Sequence, residues 1–153
     1  ISELNKVDLV TSSKSIRTFL RGTNQADLIT GTIGDDAILG RGGADRLTGG
    51  KGKDRFVYNT LNDSRPDSRN RDTITDFNGR EGDRIDLRKI DGNPKVKGNQ
   101  KLKFIGGNAF SRKAGEVRFA GGILQVDNNL DRKSDLEIAL TGVTSFRQNF
   151  LVL

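Results

Sequence analysis

The chain of 153 residues contains no cysteine, histidine, methionine or tryptophan. Without cysteine it forms no disulfide bond, and without cysteine or histidine it lacks the ligands of an ordinary zinc site. Hydrophobic residues make up only 33% of the chain, while 19 residues are glycine, whose backbone loses more entropy on folding than any other. We therefore expect the fold to need a source of stability besides apolar burial.

The sequence also lacks long apolar runs. No stretch approaches the roughly 20 residues of a membrane-spanning helix. No signal peptide is visible, and the first residue is Ile1 rather than methionine. The length suits one compact domain, and we expect that domain to be a fragment of a longer polypeptide.

Residues 22–57 consist of four consecutive nine-residue segments, each of which begins with glycine. Every segment carries an aspartate at position six and a bulky apolar residue at position eight. The aspartates are Asp27, Asp36, Asp45 and Asp54, and the apolar residues are Ile29, Ile38, Leu47 and Phe56. A fixed period of this kind predicts a repeat architecture.

Within each segment the first six residues favour a turn and the last three a short strand, because glycine supplies left-handed backbone conformations. Side chains alternate along a strand, so the apolar residue at position eight points inward. One segment then forms half a turn of a flattened coil, and alternate segments stack. This places Asp27 beside Asp45, and Asp36 beside Asp54, about 4.8 Å apart.

Carboxylates stacked in this way repel one another unless a cation lies between them. Calcium suits the position because it takes six to eight oxygen ligands and accepts backbone carbonyls. The alternatives are a metal-free glycine-rich solenoid and a phosphate-binding loop. Four aspartates in strict phase argue against the first, and the absence of a G-x-x-x-x-G-K-[ST] motif argues against the second.

The pattern resembles the G-G-x-G-x-D-x-U-x repeat of the RTX (repeats-in-toxin, hemolysin-type) family, a calcium-binding β-roll. The fourth segment, "GGKGKDRFV" at residues 49–57, fits at every defined position. The resemblance implies that Ca²⁺ is bound by the aspartate side chain and by the carbonyls at positions two and four. The implied metal ligands are Thr23, Gln25, Asp27, Thr32, Gly34, Asp36, Arg41, Gly43, Asp45, Gly50, Gly52 and Asp54.

Several glycines of the family pattern are replaced in the first three segments. Thr23, Thr32 and Arg41 occupy position two, and Gln25 occupies position four of the first segment. Carbonyl ligation tolerates a change of side chain as long as the turn keeps its shape. The first turn departs most from the family pattern.

The nine-residue phase extends weakly on both sides of the repeats. Upstream, Thr18 stands where aspartate belongs and Leu20 stands at position eight, which predicts a capping half-turn over residues 13–21. Downstream, Asp63 and Asp72 keep the phase in segments without glycines. Asp63 completes a further calcium site opposite Asp45 and Asp72 takes part in another, or this stretch is a solvated loop.

The remaining chain contains short strand patterns and no long helical period. The stretch "DTITDFNGREGDRIDL" at residues 72–87 predicts two strands, and "EVRFA", "GILQV", "LEIAL" and "FLVL" predict four more. The stretches "KVK" and "KLKF" place Val96, Leu102 and Phe104 on one strand face. The opposite face carries Lys95, Lys97, Lys101 and Lys103.

We therefore predict an all-β chain in which a parallel β-roll of nonapeptide repeats continues into an antiparallel β-sandwich. Residues 1–21 form a linker and cap, residues 22–66 the β-roll, and residues 67–153 the sandwich. The stretch "DNNLDRKSD" at residues 127–135 spaces its acids like an EF-type loop. Arg132 replaces the glycine of that loop and Ile138 its last ligand, so a turn is favoured over a calcium site.

From residue 22 onward the chain resembles the C-terminal region of serralysin-type secreted proteases and the β-roll modules of alginate epimerases. The resemblance implies a non-catalytic module, since the zinc protease motif needs histidine. It further implies an upstream effector domain on the same polypeptide, export by type I secretion machinery, and folding on extracellular calcium. The end "FLVL" resembles the apolar end of the family and also suits a closing strand.

The net charge of +6 offers a second hypothesis. The four lysines at positions 95, 97, 101 and 103 suit an anionic, alginate-like polysaccharide, or they form an ordinary solvated face. Aromatic residues are 6% of the chain and do not alternate with these lysines, so nucleic acid is not an expected partner.

Overall fold

A computed structural model describes the backbone of residues 5–8 and all of residues 17–153. These ranges contain thirteen strands and two short 3-10 helices, Leu61–Asp63 and Gln148–Phe150. None of their helices is long and apolar enough to cross a membrane. The strands are β1 (Asn5–Asp8), β2 (Thr18–Arg21), β3 (Asp27–Thr30), β4 (Asp36–Leu39), β5 (Arg46–Thr48), β6 (Arg55–Val57), β7 (Asp72–Ile74), β8 (Arg84–Asp86), β9 (Lys103–Phe104), β10 (Glu116–Ala120), β11 (Ile123–Asp127), β12 (Leu136–Leu140) and β13 (Leu151–Val152).

The strands form two sheets, and successive strands of the repeat region alternate between them. The larger sheet has the order β1-β3-β5-β7-β12-β11-β10-β9, and the smaller sheet has the order β13-β8-β6-β4-β2. All pairs in the smaller sheet are parallel, as are those from β1 to β12 in the larger one. This alternation is the flattened coil that the repeat predicts, with one half-turn per segment.

The register follows the sequence period. Residues 18 apart pair across neighbouring strands, so that Ile29 lies beside Leu47 and Ile38 beside Phe56. The same step places Leu20 beside Ile38, so the phase of the repeats continues into β2. The earlier part of the predicted cap, residues 13–16, lies outside the described residues.

Two insertions interrupt this period after the fourth segment. Strand β7 pairs with β5 at a step of 27 residues, and β8 pairs with β6 at a step of 29. A continued nine-residue phase would have placed Asp72 on the edge of Asp54. The insertion places it on the edge of Asp45 instead.

The interior of the roll is one row of side chains from each sheet. The position-eight residues and their equivalents in β2, β7 and β8 are at most 1% exposed, and each contributes roughly 1.5–3 kcal/mol by burial. The inward orientation predicted for position eight is therefore confirmed. The residues of this row are Leu20, Ile29, Ile38, Leu47, Phe56, Ile74 and Ile85.

The antiparallel part extends the larger sheet. Strands β10, β11 and β12 pair antiparallel, and β12 joins the roll by pairing parallel with β7. Val117, Leu124 and Ile138 are fully buried on its inner face. The prediction of an all-β chain, with a parallel β-roll that continues into an antiparallel part, is confirmed.

Aromatic side chains close the C-terminal end of the core. The ring centroid of Phe146 lies 5.2 Å from that of Phe119, 5.4 Å from Phe150 and 5.8 Å from Phe77. Phe150 and Leu151 are buried, and β13 pairs with β8. The predicted closing strand at "FLVL" is confirmed.

The lysine-rich stretch differs from its prediction. Residues 95–97 form a turn and bend rather than a strand, and Val96 is 48% exposed. Pro94 enters the turn and Gly98 leaves it with φ of +93°, which removes the extended backbone that alternation requires. Only Lys103–Phe104 forms a strand there, so the prediction of four lysines on one strand face is wrong.

The loop at residues 127–135 is closed by its own hydrogen bonds. Asp127 accepts the backbone N–H groups of Leu130 and Arg132 at 3.0 and 2.9 Å, and Asp135 accepts that of Asn128 at 2.9 Å. These bonds support the favoured interpretation as a turn. Leu130 and Arg132 have φ of 69° and 67°, a left-handed conformation that strains side chains with a Cβ.

This strain predicts that Arg132→Gly stabilises the protein. The steric cost of the left-handed conformation, which glycine avoids, is larger than the entropy cost of ordering a glycine. The free energy of unfolding should therefore rise by about 0.5–1 kcal/mol. Urea denaturation in saturating calcium measures the change. Lys133→Gly is the matched control: its backbone is not left-handed, so it should lower the same quantity. An equal loss in both variants would contradict the prediction.

Candidate functional site

The six-residue turns of the roll stack along two edges. Turns 1 and 3 lie at the first edge, and turns 2 and 4 lie at the second edge. Each turn ends on a position-six aspartate whose exposure is at most 3%. The turns comprise residues 22–27 (turn 1), 31–36 (turn 2), 40–45 (turn 3) and 49–54 (turn 4).

At the first edge the aspartates form a ladder. The backbone N–H of Asp27 donates to Oδ1 of Asp45 at 2.9 Å, and the N–H of Asp45 donates to Oδ1 of Asp72 at the same distance. The predicted proximity of Asp27 and Asp45 is confirmed. Each Oδ1 is thus engaged by the backbone of the preceding turn.

The second edge repeats the arrangement. The N–H of Asp36 donates to Oδ1 of Asp54 at 3.0 Å, which confirms the predicted neighbours. The N–H of Asp54 donates in turn to Oδ1 of Asp83 at 2.9 Å. Each edge is therefore a column of three carboxylates, and the third member comes from beyond the repeats.

The turns are of two kinds, which differ in the hydrogen-bond partners of the other carboxylate oxygen, Oδ2. In turn 1 it accepts both the N–H and the hydroxyl of Thr23, and in turn 2 Thr32 makes the same bonds. In turns 3 and 4 position two is Arg41 or Gly50, with φ of 72° and 96°. The N–H of Gly50 donates to Asp76 instead of to its own aspartate.

Turns 3 and 4 are consequently left with unpaired oxygens. Oδ2 of Asp45 and Oδ2 of Asp54 are buried and have no hydrogen-bond partner. A buried carboxylate oxygen without a donor is costly, and a native structure normally provides a partner for it. These two atoms therefore mark positions where a cation would replace the missing donors.

Backbone carbonyls of one turn approach the glycines of the next turn on the same edge. A Cβ placed on Gly43 would lie 2.5 Å from the carbonyl oxygen of Gln25, and one on Gly52 would collide with the carbonyl of Gly34. Gly43 and Gly52 have φ of +109° and +112°, so both the conformation and the close approach require glycine. The carbonyl of Thr32 faces Gly50 in the same way. Position-two and position-four carbonyls thus point from one turn to the next.

Burial shifts the titration of these acids. Burial raises the pKa of Asp45 to about 7, and the negative charges of Asp27 and Asp63 act in the same direction. Burial likewise raises the pKa of Asp54 to about 7, with Asp83 adding repulsion. The backbone N–H groups that donate to these two carboxylates lower their pKa values, but by less than burial raises them. The stacked edges therefore carry unfavourable charge that a proton or a cation relieves.

The donor set fits calcium. Every available donor is a carboxylate, carbonyl or hydroxyl oxygen, the ligands that hard cations prefer. Within residues 17–153 no three acidic side chains already surround one point as ligands. Each repeat site instead offers two stacked carboxylates together with carbonyls. The ligand set expected from the repeat has this composition.

Asp63 lies in a fifth turn, residues 58–63, although Tyr58 stands in place of the first glycine. The N–H of Asn59 donates to Oδ2 of Asp63 at 2.7 Å, the same position-two to position-six bond as in turn 1. Asp63 is 8% exposed, and its charge acts on both Asp45 and Asp72. Leu61 of this turn packs against the hydrophobic core, which does not support a solvated loop.

The nine-residue period did not identify two acidic residues that lie at the second edge. Asp83 stacks on Asp54, and Asp76 accepts the N–H groups of Gly49 and Gly50 at 2.9 and 2.8 Å. A signal for Asp83 is present, because "DRI" at residues 83–85 repeats the aspartate-x-apolar spacing of "DRF" at 54–56. No periodic signal marks Asp76.

A basic surface lies on the outer face of the smaller sheet rather than at the predicted lysines. Phe19, Ala37, Arg55 and Arg84 form one row across β2, β4, β6 and β8. Phe19 is 58% exposed. We define the basic face by the cations that line the groove beside this row, in which Asp35, Asp36 and Asp54 are also present. These cations are Arg17, Lys53, Arg55 and Arg84.

The raised pKa values predict that acid partly replaces calcium. A carboxyl whose folded-state pKa is about 7, against an ordinary value of 3.8, stabilises the fold below pH 4 and loses that contribution as the pH rises to about 7. Without calcium, circular dichroism should show more β structure at pH 5 than at pH 8. The double variant Asp45→Asn/Asp54→Asn should show a smaller response. A pH-independent signal in the parent chain would contradict this.

Comparisons with known proteins agree with this geometry. No curated protein sequence matches the chain. Among solved structures, the AlgE6R3 subunit of the Azotobacter vinelandii mannuronan C5-epimerase has a similar fold, with a TM-score of 0.51 and 21% identity over 93% of this chain and 82% of that one. The sequence profile of the family Peptidase M10 serralysin C terminal matches residues 6–152. The chain therefore belongs to the family of serralysin C-terminal domains.

Proposed function

We propose that the chain is a non-catalytic module that folds when calcium binds between its stacked turns. The observation that carries this proposal is the buried Oδ2 atoms of Asp45 and Asp54, which face no donor. At the first edge the ion would be held by Asp27, Asp45 and carbonyls that include that of Gln25. At the second edge Asp36 and Asp54 would act with carbonyls of turns 2 and 4. Bound calcium would supply the positive charge that offsets the stacked carboxylates.

The proposal assigns most of the folding energy to the metal. A ligand that binds only the folded chain stabilises it by RT ln(1 + [L]/Kd), which is about 1.4 kcal/mol for each site at ten times its Kd, and several sites add. Extracellular calcium modules typically have Kd values on the order of 10⁻⁴–10⁻³ M. Calcium inside a cell is too dilute to drive such folding, whereas calcium outside suffices. We infer that the chain is secreted and folds after export.

Membership in the serralysin C-terminal family supports this role. We propose that the module follows an upstream effector domain, supports the stability of that domain, and is exported by type I secretion machinery. Phe150 and Leu151 are buried in the folded chain. A C-terminal export signal at "FLVL" would therefore be accessible only before folding.

A calcium titration followed by circular dichroism tests the proposal. We expect β structure to appear at millimolar calcium and to disappear with a chelator. Asp45→Asn and Asp54→Asn should each raise the calcium midpoint about tenfold or more, because a carboxylate ligand is lost.

Asp67→Asn is the control for this titration. It also removes a carboxylate, but Asp67 is exposed and accepts bonds only within its own loop, from Arg69 and Asn70. Its calcium midpoint should match that of the parent chain. Full β structure in excess chelator at neutral pH would refute calcium-dependent folding.

A second candidate function is the binding of an acidic, alginate-like polysaccharide to the same calcium-folded body. The observation that favours it is the basic face, where four cations and three aspartates line one groove of the smaller sheet. Positive charge along one face of a sheet suits an extended polyanion, and such binding weakens with salt. Lys95, Lys97, Lys101 and Lys103 are exposed but do not share one strand face, so we place the contact on the basic face.

Two variants of equal net charge distinguish the basic face from the lysine-rich stretch as the contact surface. The double variant Arg17→Gln/Lys53→Gln should elute from an alginate column at lower salt than the parent chain. The matched control Lys95→Gln/Lys97→Gln loses the same charge elsewhere and should elute later than the first variant. Equal elution of the two variants would remove the basic face as the contact. No retention of the parent chain at low salt would remove the function.

A further inference from the structure

A row of polar side chains crosses the outer face of the antiparallel part. Arg118 of β10 pairs with Gln125 of β11, and Gln125 pairs with Glu137 of β12. Val117 is fully buried, and successive side chains of a strand point to opposite faces of the sheet. Arg118 therefore points outward from the larger sheet, whereas the basic face lies on the smaller one.

This row holds the guanidinium group of Arg118 in one orientation. Its Nε donates to Oε1 of Gln125 at 2.7 Å, and Nε2 of Gln125 donates to Oε1 of Glu137 at 2.9 Å. Glu137 is in turn fixed by hydrogen bonds from Arg71 and Ser134 at 2.9 and 2.6 Å. Because the amide of Gln125 accepts on one side and donates on the other, its orientation is fixed too.

The two terminal nitrogens of Arg118 have no partner among the described residues. Neither Nη atom donates a hydrogen bond there, and no described carboxylate forms a salt bridge with Arg118. The guanidinium carbon lies over the ring of Phe110, 5.1 Å from its centroid, which supports one flat side of the group. A guanidinium held in this way presents a planar fork of N–H donors, the geometry that binds an oxyanion through two parallel hydrogen bonds.

A groove of about 500 Å³ opens beside this fork, and we call it the Arg118 groove. The cations that line it are Arg118, Arg132 and Lys133, and none of its lining residues is acidic. The groove of the basic face differs, because three aspartates share it. Asp131 is on the same loop as Lys133 but does not line the groove, and its Oδ1 accepts the backbone N–H of Lys133 at 2.8 Å. The Arg118 groove therefore carries positive charge without a counter-charge.

We propose that the Arg118 groove binds a phosphate monoester. Two oxygens of the phosphate would accept the N–H groups of the Arg118 fork, and the charges of Arg132 and Lys133 would offset the rest of its charge. A phosphate monoester carries about 1.5 to 2 negative charges at neutral pH, because its second pKa is about 6. It therefore suits three cations better than a carboxylate, which carries one charge. The groove uses no residue of turns 1 to 4 or of the basic face.

A titration of the calcium-folded chain with methyl phosphate at pH 8 tests the proposal. NMR follows the backbone amides of residues 132–134, and chloride keeps the ionic strength constant. We expect a saturable shift of these signals in the parent chain. Arg118→Lys keeps the charge but loses the planar fork, so it should weaken the affinity about tenfold. Acetate at the same ionic strength should bind more weakly than methyl phosphate.

Arg69→Lys is the matched control, because Arg69 is exposed and lies outside the groove, and it should bind like the parent chain. A parent signal that does not saturate, or equal affinity in the two lysine variants, would overturn the site and leave calcium-dependent folding intact. Equal binding of acetate would overturn the assignment to a phosphate monoester. If Arg118→Lys changes the calcium midpoint of folding, Lys133→Gln decides, since Lys133 is exposed. The affinity of that variant should fall, and an unchanged affinity refutes the proposal.

Discussion

The roll depends on one recurring interaction, the hydrogen bond from the backbone N–H of one aspartate to Oδ1 of the next aspartate in its column. Four such bonds, between 2.9 and 3.0 Å, hold the stacked turns of the two edges together. The bond fixes the position of each carboxylate and leaves Oδ2 to find another partner. Where threonine occupies position two, the turn itself provides that partner, as at Thr23 and Thr32. In turns 3 and 4 position two is not threonine, and Oδ2 has no donor.

Buried carboxylates have different hydrogen-bond partners in the two halves of the chain. In the antiparallel part Glu137 accepts bonds from Arg71, Gln125 and Ser134 at 2.9, 2.9 and 2.6 Å. These bonds hold the pKa of its carboxyl below the usual value, against the opposing effect of burial. In the roll, Oδ2 of Asp45 and Oδ2 of Asp54 have no such partners. The unpaired carboxylate oxygens therefore lie in turns 3 and 4, although both halves share one core.

Core and edges are coupled by the shortness of the strands. Each strand of the roll has three or four residues, so the aspartate lies two residues from the side chain that fills the interior. Ile38 and Phe56 cannot pack in register unless Asp36 and Asp54 also stack. Apolar burial and the charge on the edges consequently form and fail together. Under the proposed function, this coupling would make calcium binding appear as folding.

The sequence by itself determined the coil, the inward row at position eight and the pairs Asp27–Asp45 and Asp36–Asp54, because a strict period repeats the same local geometry in each segment. Only the tertiary structure decided that Asp72 and Asp83 complete the two columns, since their places depend on how the inserted residues fold. It also decided which Oδ2 atoms lack donors, because that follows from the backbone conformation at position two. The turn at residues 95–97 was not predicted for a related reason. Alternating residue types place side chains on opposite faces only where the backbone is extended, and here it is not.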